Sequence, residues 1–125
     1  MINLLVDECY AFDYLAILNV KLFLDENNAQ KKISFDKCCD FLKGQMGNLF
    51  DTVLKSDEFK NCFEANLKTF DAVDKAKTDQ VPASYVDHCN YLRHLAKIDL
   101  QKKFFIDNIT EQKIGYEVYG DHQKV

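Results

Sequence analysis

The sequence predicts an all-α protein, an antiparallel up-down four-helix bundle followed by a short, weakly structured C-terminal tail. Three observations carry this expectation. The chain has one Pro and four Gly in 125 residues, so the two residues that most disfavour helix interiors are nearly excluded. Apolar residues recur at three- and four-residue spacing from end to end, the period of a helix buried on one side. The segments that keep this period are joined by short connections, which favours neighbouring helices running in opposite directions.

The first helix is predicted from Asn3 or Leu4 to Asp25 or Glu26, closed by Asn27-Asn28. The second opens at Ser34, a good N-cap, and runs to Leu54; Gly44 and Gly47 inside it invite a kink or break. Ser56 caps the third, with Asp57 and Glu58 placed favourably against the helix dipole, and the helix ends near Lys77-Thr78. Thr78 to Ala83, containing Pro82, forms the clearest loop. Ser84 then caps the fourth helix, which runs to Ile106 or Asp107. The expected division is residues 1–107 as the bundle and 108–125 as the tail, one domain overall, with Gly115 and Gly120 loosening the helical signal. No internal repeat and no sustained heptad is present.

Composition narrows the function. Apolar residues make up 47% and aromatics 13% of the chain, including ten Phe and six Tyr, enough for a packed core. The formal charge is −4, with 20 acidic against 16 basic residues. The basic residues are Lys apart from Arg93, and acid and base alternate along the chain, so no basic patch for nucleic acid is expected. The Lys and Asn content suggests an AT-rich genome, such as that of a low-GC bacterium or a phage. Five cysteines, Cys9, Cys38, Cys39, Cys62 and Cys89, form an odd set with no CxxC, which argues for reduced core residues rather than a disulfide framework. The start of the sequence lacks the basic region of a signal peptide, and the charge-free run Tyr14–Val20 is far too short to span a bilayer. The expected location is cytoplasmic, and Asn108-Ile109-Thr110 is then no glycosylation site.

Helical projection separates ordinary polar residues from unusual ones. In the first helix Asp7, Tyr10, Tyr14, Lys21 and Asp25 are expected to face water. The remaining apolar arc is very wide, so this helix is either central or covered by a second subunit. Glu8 and Asn19 fall within that arc. In the third helix Asn66 lies between Phe59, Phe63, Phe70 and Val73. In the fourth, Tyr85, Cys89, Tyr91, Leu92, Leu95 and Ala96 define the expected buried arc, with His88 and Asp99 near its centre and Arg93 and His94 pointing away. Glu8, Asn66, His88 and Asp99 are therefore the candidate ligand-binding residues. Height along the bundle pairs Glu8 with Asp99, a possible proton-donating carboxylate pair, and groups Asn19, Asp74, His88 and Cys38 or Cys39, whose residue types suit a metal.

Neither grouping matches a known template. Asp71-Ala-Val-Asp74 lacks the Glu-x-x-Glu partner of all-α nucleotide pyrophosphohydrolases, and the Glu-x-x-His motif of di-iron bundles is absent. No catalytic residue, cofactor or metal is assigned. The function expected is a protein-interaction or adaptor module acting as a homo-oligomer, at least a dimer, through the first helix, without nucleic-acid or membrane partners. The alternative is a small-molecule or metal-binding bundle, enzymatic or not, with a polar site inside.

Overall fold

Five α-helices account for 81% of residues 1–105, the part of the chain that the computed structural model describes, and no strand occurs among them. They are α1 (Glu8–Leu24), α2 (Ala29–Met46), α3 (Asn48–Leu54), α4 (Asp57–Lys77) and α5 (Ala83–Phe104). The expected tail, 108–125, and the predicted end of the last helix at Ile106 or Asp107 lie outside the described residues.

The fifth helix comes from a break in the predicted second one. Gly47 adopts φ 64 and ψ −139, a backbone conformation that only glycine enters without strain. Gly44, by contrast, stays inside α2. The break lets the short α3 turn and seat Phe50 and Val53 in the core, where Phe50 stacks on Phe12 at 6.0 Å between ring centroids. Phe12 is fully buried and also meets Phe59 edge-on and Phe105 in a stacked arrangement, both at 6.2 Å. Cys9, Leu15, Ala16, Cys62 and Leu100 complete this central cluster.

Three helix starts differ from the sequence prediction. α1 begins at Glu8, because Asp7 takes the extended N-cap conformation and the residues before it bury no side chain against the described helices. α2 starts five residues before Ser34, capped by the Asn28 side chain, which accepts from the Lys31 N–H at 3.1 Å. α5 has Pro82 at its N-cap and Ser84 inside the helix. Ser56 does cap α4, accepting from the Phe59 N–H at 3.1 Å.

α1 occupies the middle of the fold and packs on α2, α4 and α5, while α4 packs on α5. That central place accounts for its wide apolar arc. Pairings between α1 and α5 run in opposite order along the two helices (Cys9 with Gln101, Tyr10 with Lys97, Asp13 with Arg93), so these two are antiparallel. α2 is the exception in packing. It lies against α1 and α3, and none of its eighteen residues is buried.

Candidate functional site

Apart from Thr69, whose hydroxyl donates to the Ala65 carbonyl within α4, and Lys97, the buried polar residues fall in two hydrogen-bonded groups. The larger centres on Asp13, which is 6% exposed. Its carboxylate accepts from Arg93 Nε at 3.1 Å and Nη2 at 2.8 Å, and from Asn66 Nδ2 at 3.1 Å. Asn66 also donates to the Cys62 carbonyl one turn back at 2.9 Å. A planar guanidinium fork matched to a carboxylate is the arrangement that best offsets the desolvation of two charges. It ties α1, α4 and α5 together at one level.

The second group lies nearer the start of α1. Gln101, fully buried, accepts from the Cys9 N–H at 2.9 Å and donates to Glu8 Oε1 at 3.1 Å. The Cys9 N–H is one of the first-turn donors that have no partner within a helix, and the Gln101 side chain from α5 satisfies it. Between the groups, Lys97 sits 4.1 Å from the centre of the Tyr10 ring, a cation–π contact that lets a lysine be almost wholly buried.

These contacts revise the predicted faces. α5 is turned by about a third of a turn relative to the projection. Its inward side carries Cys89, Arg93, Lys97, Leu100 and Gln101, whereas Asp99 and Leu95 are exposed. The long aliphatic stems of Arg93 and Lys97 supply apolar packing while their charged ends find Asp13 and Tyr10, so polarity misled the projection. Tyr10, expected in water, is half-buried against Lys97 for the same reason. His94, expected outside, is half-buried, and Val73 of the α4 stripe is exposed.

The four candidate residues are accordingly dispersed. Asn66 belongs to the Asp13 group, and Glu8 lies exposed at the rim beside Gln101. His88 is half-buried on α5, and Asp99 faces solvent. Glu8 is thus paired with Gln101 at the expected height, in place of Asp99. Asp74, grouped with His88 by height, points outward and lies 3.8 Å from Lys77. Among the described residues no three or more His, Cys, Asp and Glu are placed to hold a metal ion. No described helix is long and apolar enough to cross a membrane.

All five thiols are free. Burial pushes Cys9 and Cys62 up to about 12 and Cys39 up to about 11, and raises Cys38 as well. These four thiols are therefore neutral at physiological pH, the opposite of what thiolate chemistry requires. Two open hollows indent the surface. One of about 680 Å³ lies between the end of α4 and the start of α5, walled by Val73, Ala76, Val86 and Asp87. The other, about 350 Å³, lies where α1, α2 and α4 meet, beside Asn19, Phe35, Phe59 and Phe63. Neither includes Glu8, Asn66, His88 or Asp99.

The unusual surface lies elsewhere. Residues 1–6, Met-Ile-Asn-Leu-Leu-Val, are non-helical, and Ile2, Leu4 and Leu5 are 89%, 75% and 100% exposed. On α2, Ile33 is 49% and Phe41 54% exposed, and at the end of α1 Phe23 and Leu24 are also open. Scattered surface apolar side chains are ordinary, but a contiguous uncharged segment and a helix with no buried residue are not. No protein-family model matches the chain, and neither a curated protein nor a solved structure resembles it significantly.

Proposed function

We propose that this protein works by binding protein, first of all a second copy of itself, and performs no chemistry on a substrate. The observation that carries this reading is the exposed apolar surface of residues 1–6 together with the uncovered side of α2. Apolar area of that kind favours association, because covering it releases water at roughly 25 cal/mol per Å². The interior polar residues support the same conclusion from the other side. Asp13 engages Asn66 and Arg93, and buried Gln101 engages Glu8 at the rim, all across helix contacts, which suits a role in fixing how α1, α4 and α5 pack.

From the sequence the self-contact is expected on the first helix, because of its wide apolar arc. That arc is used within the fold, against α2, α4 and α5. The large apolar side chains of α1 left exposed are Tyr14, Leu24 and Phe23, the last of which still meets the Phe63 ring edge-on. The proposed contact therefore shifts to the segment preceding α1 and to α2 beside it.

Light scattering of the full chain tests the proposal. A species of twice the 14.5 kDa chain mass at micromolar concentration is expected, insensitive to added salt, because the surface is apolar and screening acts on charges. A single species of 14.5 kDa at 100 µM would overturn it.

A further inference from the structure

Residues 1–6 and α2 are complementary deficits carried by the same chain. The segment offers five exposed apolar side chains, and neither its backbone nor its side chains makes a hydrogen bond or ion pair with any described residue. α2 offers a helix side that no described residue covers, with Ile33 and Phe41 exposed and open space beside Gly44. Building on the self-association proposed above, we infer that the dimer forms by reciprocal arm exchange: residues 1–6 of each copy lie along the outer side of α2 of the other.

Three physical points favour a second copy as the occupant. The first is closure. Each copy gives one arm and receives one, so a single two-fold operation covers both surfaces at once and leaves nothing to propagate into a fibre. The second is reach. Six extended residues span about 20 Å and the eighteen residues of α2 about 27 Å, so one arm fits along one helix. The third is area. At roughly 100 Å² of apolar surface each, five side chains contribute about 500 Å² per arm; with the matching area on each receiving helix, two arms remove about 2,000 Å², the upper end of a standard stable interface. Charge agrees with this placement. The arm is uncharged up to Asp7, and Lys31, Lys32 and Lys43 of α2 are already paired with Asp25, Asp36 and Asp51, so an uncharged segment meets a helix whose charges are largely neutralised.

The test uses the full chain and the double variant Leu4→Asp/Leu5→Asp. Both side chains are largely exposed, so helical content and melting are expected to match the wild type. The dimer midpoint should rise at least a hundredfold in concentration. A mixed sample of isotope-labelled and unlabelled wild-type chains should give intermolecular nuclear Overhauser contacts from the Leu4 and Leu5 methyl groups to the Phe41 ring or the Ile33 side chain. Phe41→Asp, which alters only the receiving helix, should weaken the dimer to a similar degree. A wild-type monomer at 100 µM would overturn both this inference and the self-association beneath it. A wild-type dimer that Leu4→Asp/Leu5→Asp leaves unchanged, or one without those intermolecular contacts, would overturn arm exchange while leaving self-association standing.

Discussion

Replacing Arg93 by Ala should be among the most damaging single substitutions in the chain, although Arg93 reads as a surface residue in the sequence. The Asp13 carboxylate accepts three hydrogen bonds, two of them from the Arg93 fork. Truncation leaves a nearly buried anion with Asn66 alone. Breaking a buried ion pair from one side costs about 3–5 kcal/mol. The Arg93 side chain is 30% exposed, so water reaches part of the vacated space and lowers the cost to about 2–3 kcal/mol. With a urea slope of about 1.5 kcal/mol per molar for a domain of this size, the midpoint should fall by about 1.3–2 M. Arg93→Lys keeps the charge but not the two-pronged geometry and should fall between. Lys75→Ala removes an exposed i,i+4 partner of Asp71 and should leave the midpoint almost unchanged. Urea denaturation followed by circular dichroism measures all three. Equal midpoints for Arg93→Ala and Lys75→Ala would refute the reasoning.

Two further outcomes are expected. Gly44→Ala should stabilise the protein by about 0.5–1 kcal/mol, since Gly44 is helical with open space around it, whereas Gly47→Ala should destabilise it by about 1–2 kcal/mol because of the positive φ; thermal melts of the two variants give the signs. Stability should also decline between pH 9 and 12. Cys9 and Cys62 titrate near 12 in the fold against 9.0 for an ordinary thiol, so the unfolded chain loses protons first and stability drops by up to about 1.4 kcal/mol per pH unit per thiol. Urea midpoints across that range, compared with those of a Cys9→Ala/Cys62→Ala variant, isolate the thiol contribution; equal slopes would contradict it.

How much of this structure is legible in the sequence depends on what each residue does. The helices are legible because Gly and Pro are scarce and the apolar period is regular. Ser56 is legible as a cap because its chemistry is local. The Gly47 break is half legible: glycine marks the place, but only the packing of Phe50 and Val53 on Phe12 decides that the chain turns there and not at Gly44. The interior polar residues are harder, since Arg93 and Lys97 point inward on aliphatic stems and hydropathy reads their charge. Two signals do point to the Asp13–Arg93 pair. Arg93 is the lone arginine beside fifteen lysines, as expected where a fork is required. Asp13 falls in step with Cys9, Ala16 and Val20, on the buried side of α1. Asn66 is found by its flanking phenylalanines, while Asp99 is misplaced because the turn of α5 is fixed by partners on α1 that a single-helix projection does not contain.

Hydrogen exchange read by mass spectrometry at 1 µM and 100 µM tests most directly the claim that residues 1–6 and α2 form a self-contact. Amides of residues 1–6 and 29–46 should become more protected at the higher concentration, by tenfold or more in rate. Amides in the middle of α4 and α5, already held by the Asp13 group, should exchange alike at both. Identical exchange across the whole chain at the two concentrations, or added protection confined to α4 and α5, would contradict it.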